Sequence, residues 1–190
     1  MRHKTNYDPL FTIVTVCTGN ICRSPLAESL LRVRLADDHR FEVTSAGLHA
    51  VVGAPMDRDA AHQLILHGGD PEGLVAKQIT VDYPKAANLL LTMTRAQRDE
   101  LIQKYPLAMH RTFTLSEFAK LSLKLQGSCY SVDELVTRSA LHRAQVILGS
   151  SDDITDPIGA RPRVHENVAN QISELVDVIS SQLLYVAKIK

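Results

Sequence analysis

Apolar residues in this chain follow two rhythms. Short, mostly β-branched runs alternate with longer stretches in which apolar positions recur every three or four residues. Residues 10–16, with Phe11, Ile13, Val14 and Val16, read as a buried strand. Pro25 lies in the first turn of a helix over 25–36. A strand over 41–45 follows, then a loop with Gly47, Gly53 and Pro55. Asp57 opens a helix to about His67, and Gly68-Gly69-Asp70-Pro71-Glu72-Gly73 is turn chemistry. Residues 88–93 form the third strand. Thr94, with Gln97 at capping-box spacing, starts the next helix. Residues 112–115 form the fourth strand, and Ser116 starts the helix after it. Ser131 opens an extra helix to Leu148. Residues 164–186 are strongly amphipathic: Val164, Val168, Ile172, Leu175, Val176, Ile179 and Leu183 share a face.

This alternation predicts an α/β fold: a three-layer sandwich with a central, mainly parallel four-stranded sheet and helices on both faces. The chain reads as one domain over 1–190, with an extra helical insertion around 119–150. No internal repeat or low-complexity segment interrupts it. Ligands of such sheets bind at the carboxyl ends of the strands. The loop after the first strand is therefore the place to look for chemistry.

That loop reads Cys17-Thr18-Gly19-Asn20-Ile21-Cys22-Arg23-Ser24. It lies between a strand and a helix N-terminus, where backbone N–H groups lack intrahelical partners and point at whatever the loop encloses. Consecutive amides of Thr18, Gly19, Asn20, Ile21 and Cys22 can add an anion-binding nest. Positive potential from a helix N-terminus and an arginine favours the thiolate form of a cysteine. The Arg23 fork suits two phosphate oxygens at once. Together these describe attack by Cys17 on a phosphate monoester, giving a cysteinyl-phosphate. Ser24 is placed to donate to the sulfur, and Gly19 lets the loop turn.

The segment from Val16 to Pro25, followed by Ala27-Glu28, resembles the phosphate loop of low-molecular-weight protein tyrosine phosphatases. Thr44-Ser45-Ala46-Gly47 is similar to the family's second strand end, Gly53-Ala54-Pro55-Met56-Asp57 to the loop before its second helix, and Leu91-Thr92-Met93-Thr94 to its third strand end. Asp153-Ile154-Thr155-Asp156-Pro157 resembles the late acidic loop that carries the general acid. The resemblance covers roughly 10–118 and 152–185. It implies phosphomonoester hydrolysis, with Cys17 as nucleophile, Arg23 as phosphate clamp and Asp156 as acid. Two departures concern specificity. Family members usually hold aromatic residues in the loop after the second strand and directly after Asp-Pro. Here those places read Leu48-His49-Ala50-Val51-Val52-Gly53 and Ile158. The extra helix, with Tyr130 before it, is either a peripheral packing element or a substitute wall of the pocket.

Alternative readings are an arsenate reductase using an external thiol, or a non-catalytic phosphate-binding module. The reductases usually carry glutamine after the serine of the loop, where this chain has Pro25, and Cys129 has no nearby partner cysteine. Cys22 is either the partner in a reversible protective disulfide or a packing residue. Asp153 either positions Asp156 or water or serves a turn; it is the runner-up to Asp156 as general acid, with Asp152 ranking behind it. His49 either lines the pocket mouth or is solvated, and Arg161 and Arg163, which follow the acidic loop, either meet an anionic substrate or are solvated.

Composition changes little. The chain is 45% hydrophobic and 22% charged, with 21 basic and 21 acidic residues. Zero formal net charge argues against a nucleic-acid partner. No apolar run approaches a membrane span, and Arg2 and Lys4 precede a stretch too short for a secretory leader. Three cysteines, an odd number, do not suggest a disulfide scaffold, and a thiolate nucleophile fits a reducing cytoplasm. Cys17 and Cys22 lack further ligands at metal spacing, so neither metal nor cofactor is expected. The expected partner is a phosphorylated protein, phosphotyrosine above all, or a small phosphate monoester.

Overall fold

Period-two alternation along the strands decides which helix layer each side chain meets. The computed structural model describes residues 10–189, so Arg2 and Lys4 lie outside the described residues. Strands β1 (Phe11–Cys17), β2 (Phe41–Gly47), β3 (Leu89–Thr92) and β4 (Thr112–Thr114) form one sheet in the order β2-β1-β3-β4. Every pairing is parallel. Ile13, Leu89, Leu91 and Phe113 join one cluster with Leu26, Leu30, Leu64, Phe118 and Ile172. These come from helices α1 (Arg23–Arg34), α2 (Arg58–Leu66), α5 (Leu115–Lys124) and α7 (Pro162–Ala187). Val14, Val16 and Leu90 face the other way, onto Leu101 and Ala108. That layer contains α3 (Asp82–Ala86) and α4 (Arg95–Lys104). The result is the three-layer α/β sandwich that the alternation predicts.

The longest helix clamps one layer together. α7 buries Val168, Ile172, Val176, Ile179 and Leu183 as one stripe and packs on α1, α2 and α5. Each fully buried aliphatic side chain contributes roughly 1.5–3 kcal/mol, so this stripe is a main source of the layer's cohesion.

In the order β2-β1-β3-β4 the connection from β1 runs to β2 on one side and that from β3 to β4 on the other. A crevice opens at the carboxyl ends of β1 and β3, where these connections part, and β1 ends at Cys17. Pairing carries β1 and β2 past the expected strand ends, to a final Cys17–Gly47 register. Gly47 is required there, because a Cβ would lie 2.5 Å from the carbonyl oxygen of Thr18.

Two helices depart from the sequence reading. Short α3 was not anticipated, because Pro84 sits in its middle. A proline in the first turn removes no N–H that the helix needs. The extra helix, α6, runs over Val132–Leu141 rather than to Leu148. A 3-10 turn over Arg143–Gln145 follows. There the Arg143 guanidinium lies 4.6 Å from the Phe113 ring centroid and its Nε lies 3.2 Å from Glu117 Oε1. These contacts turn the chain although Val146, Ile147 and Leu148 continue the apolar pattern.

Candidate active site

β1 ends by delivering Cys17, and α1 begins six residues later at Arg23. Cys22 occupies the N-cap of α1 without a side-chain cap, and the first turn holds no acid. The first N–H groups of α1 are thus available to an anion. Asn20 takes φ +57°, the only non-glycine positive value among the described residues. Asparagine tolerates this region better than most residues. Its side chain is also held from three directions, which offsets the strain.

Those bonds extend into a polar chain beneath the sulfur. Asn20 Nδ2 donates to Ser24 Oγ at 2.9 Å and to Ser45 Oγ at 2.8 Å. Asn20 Oδ1 accepts from the Lys77 backbone N–H at 2.7 Å, which fixes the amide's orientation. Ser45 donates to the Glu28 carboxylate, so its oxygen is free to accept from Asn20. Ser24 likewise accepts from Asn20 and has its proton left for Cys17 Sγ, 2.9 Å away. The Asn20 backbone N–H points at the same sulfur, at 3.3 Å. Two donors therefore face Cys17 Sγ. Glu28 and Ser45 escaped the sequence reading as functional residues. Glu28 is 1% exposed, and a carboxylate on the buried side of an apolar helix is the signal that marks it.

Arg23 crosses to the late acidic loop. Its Nη1 donates to the Ile154 carbonyl at 3.0 Å, and its Nη2 to Asp156 Oδ2 at 2.5 Å. Arg23 Nε is buried with no partner, a donor available to an anion's oxygen. Cys17, Arg23 and Asp156 line one cleft of ≈ 270 Å³ with Ile21, Val51 and Ile158. A second cleft, ≈ 470 Å³, meets it along Thr18, Arg23 and Asp156. The structure thus brings Cys17, Thr18, Gly19, Ile21, Cys22, Arg23 and Asp156 to one cleft, with Asn20 and Ser24 beneath it. The walls are aliphatic, as the missing aromatics imply. Val52 does not line the cleft and is exposed.

Other candidates separate. His49 reaches the mouth, its Nε2 2.9 Å from Glu100 Oε1. Asp153 is held by Arg95. Burial alone pushes the Asp153 carboxyl up, but the Arg95 hydrogen bonds and charge outweigh that and hold it below the usual carboxylate range. Arg161 and Arg163 are exposed and line neither cleft. Tyr130 is a correction to the idea of a substitute wall. It lines a cavity with Leu10, Phe11 and Asn88 at the amino end of β1. That end is about 20 Å from Cys17, at ~3.3 Å per residue along the strand. α6 packs on α5 and α7 and contributes nothing to the two clefts.

Burial pushes the Cys22 thiol up strongly, and the charge of Asp57 adds to this. Cys129 is buried beside Arg138 and Glu134, its thiol also raised by burial. Among the described residues no group of three His, Cys, Asp or Glu could hold a metal, and no helix is long and apolar enough to cross a membrane.

Comparison with known proteins gives the class. Residues 12–129 match the low molecular weight phosphotyrosine protein phosphatase family, and the chain belongs to it. It is 38% identical over 112 residues to a probable low molecular weight protein-tyrosine-phosphatase, EpsP, of Ralstonia nicotianae, covering 59% of this chain and 75% of the relative. It is 30% identical over 168 residues to the low molecular weight protein-tyrosine-phosphatase PtpB of Staphylococcus epidermidis, covering 88% and 95%. The solved YwlE arginine phosphatase from Geobacillus stearothermophilus superposes with a TM-score of 0.70 at 27% identity, covering 92% and 93%. The protein is a cysteine-based phosphatase, not an arsenate reductase or a passive phosphate-binding module.

Proposed function

We propose that the chain hydrolyses phosphotyrosine in proteins, with Cys17 as nucleophile, Arg23 as phosphate clamp and Asp156 as general acid and base. The observation that carries this is the convergence of all three on one cleft beneath an uncapped helix N-terminus. Cys17 Sγ attacks phosphorus and the tyrosine O–P bond breaks. Asp156 gives its proton to the departing phenolate oxygen. The loop amides of Thr18, Gly19, Asn20, Ile21 and Cys22, with Arg23, hold the three phosphoryl oxygens. In the second step water attacks phosphorus, Asp156 takes its proton, and the S–P bond breaks. Ser24, donating to Sγ at 2.9 Å, stabilises the departing thiolate. We read residues 1–190 as one catalytic domain, which the packing of α7 across α1, α2 and α5 supports.

Relatives of this chain are named for two substrates, phosphotyrosine and phosphoarginine. The walls favour the first. A phosphoguanidine keeps N–H donors that need acceptors, and leaving them unpaired is costly. Ile21, Val51 and Ile158 offer methyl surface, which suits a phenyl ring, and the side-chain acceptors beside them are already engaged, Asp156 by Arg23 and His49 by Glu100. The test is kcat/KM on matched phosphotyrosine and phosphoarginine peptides. A preference for the tyrosine peptide is expected, and a preference for the arginine peptide overturns the assignment.

A further inference from the structure

One turn of backbone, where β3 passes into α4, holds both halves of the site. On the nucleophile side Gln97 Nε2 donates to Thr18 Oγ1 at 3.0 Å, one residue past Cys17. Gln97 cannot rotate freely, because its Oε1 accepts from the N–H groups of Met93 and Thr94, both at 3.1 Å. On the acid side the Met93 carbonyl accepts from the Ile154 N–H at 2.9 Å. Arg95 then encloses the Asp153 carboxylate. Its backbone N–H donates to Oδ1 at 2.7 Å, and its Nε and Nη2 donate to Oδ2 at 3.0 and 2.8 Å. Asp156 itself has little hold on its own position. Its side chain is 53% exposed, and among the described residues it accepts, beyond Arg23, only from the Ile158 N–H of its own loop, at 3.3 Å.

We propose that Arg95 and Asp153 are a positioning pair that holds the acid loop at a fixed distance from Cys17, with α4's capped first turn as the strut. The proposal rests on reading Asp156 as the general acid. Neither residue of the pair touches the reacting atoms; they act through Asp156. Lys120 and Ser116 hold the neighbouring Asp152, through Oδ1 at 2.6 Å and the carbonyl oxygen at 2.8 Å. That attachment is one residue further from Asp156 and does not run through α4. The Arg95–Asp153 pair is half-exposed, at 37% and 30%. Pairs of that kind add little to folding stability, whereas a displacement of ~1 Å in a reacting group costs up to ~10²-fold in rate.

The test is the dependence of kcat/KM, which reports the step that expels the leaving group, on leaving-group basicity across substituted aryl phosphates. It compares the natural chain with Arg95→Ala, Asp153→Asn, Asp156→Asn and the Arg95→Ala/Asp156→Asn double variant. Inhibition by inorganic phosphate and thermal unfolding are measured alongside. In kcat/KM, Arg95→Ala and Asp153→Asn should lose ~10- to 100-fold on phenyl phosphate and little on nitrophenyl phosphate, whose anion leaves without a proton. Phosphate inhibition and Tm should stay near natural values, Arg95→Lys should recover part of the loss, and the double variant should be no slower than Asp156→Asn. Equal losses on every substrate with a lowered Tm would make the pair merely structural and overturn the proposal. So would natural leaving-group dependence in the pair variants beside a steepened one in Asp156→Asn. If Asp156→Asn itself leaves the dependence unchanged, Asp156 is not the acid, and the positioning role falls with that reading.

Discussion

Arg23 Nη2 donates to Asp156 Oδ2 at 2.5 Å, so the fork assigned to phosphate also grips the carboxylate assigned as the acid. A phosphate dianion and this carboxylate are both drawn to one guanidinium, and they repel each other. Replacing Asp156 with Ala should therefore tighten inhibition by inorganic phosphate while turnover falls. The expected gain is roughly fivefold, for about 1 kcal/mol of a half-exposed charge contact. Unchanged inhibition would mean that the two anions do not compete. Arg23→Lys should weaken phosphate binding and turnover severely, since a point charge cannot replace the fork.

Cys22 lies in the same loop as Cys17, 3% exposed and lining the same cleft. Peroxide should convert Cys17 to a sulfenic acid, which Cys22 can capture as a disulfide before further oxidation. Cys22→Ser should keep activity and lose recovery by thiol after peroxide. Full recovery in the variant would leave Cys22 a packing residue.

The same thiol gives a pH dependence with a definite sign. Burial raises the Cys22 value in the folded chain far above that of an unfolded thiol. Above about pH 8.5, where an unfolded thiol ionises, the folded state retains the proton longer and stability falls as pH rises. Below that pH the group contributes no slope. Asp153 has the opposite sign. Its lowered value in the folded chain adds stability above the unfolded carboxylate range, and this is lost as pH falls through the folded value. Chemical denaturation against pH should therefore show Cys22→Ser flattening the alkaline limb and Asp153→Asn flattening the acid limb. Limbs parallel to those of the natural chain in both variants would contradict these assignments.

Aliphatic walls predict weak aromatic recognition. Ile158 is half-exposed and lines the cleft with Val51. A stacked aromatic pair adds ~0.5–1.5 kcal/mol beyond area burial, so Ile158→Tyr should lower KM for phosphotyrosine peptides by about three- to tenfold. Inhibition by inorganic phosphate should barely change, because the cradle and Arg23 grip only the phosphate. An unchanged KM would place the ring elsewhere.

How much of this was legible in the sequence follows from how far each feature reaches along the chain. The nucleophile loop is eight consecutive residues, and local geometry, a strand entering a helix, fixes what they do. The capping box at Thr94 and Gln97 was equally local. The support beneath the sulfur was not: Ser45 and the Lys77 backbone meet Asn20, and Glu28 meets Ser45, only because segments far apart in the chain fold together. Hydrophobic pattern placed the strands but not their last residues, since backbone pairing continues to Gly47 after the apolar run has ended. Tyr130 sits beside the extra helix in sequence, yet the sheet's polarity puts it at the pole away from Cys17. Nothing local records which end of a strand a later insertion will meet.

The central claim is a covalent phosphoryl group on Cys17. The direct measurement is rapid acid quench of the Asp156→Asn variant during turnover of nitrophenyl phosphate, whose anion leaves without a proton, followed by mass-spectrometric mapping of the phosphoryl group. Slow hydrolysis of the intermediate should let it accumulate, with the label on Cys17 Sγ, and the same experiment on Cys17→Ser should give neither label nor turnover. Absence of label on Cys17 in the first variant, together with continued hydrolysis by Cys17→Ser, would contradict the account.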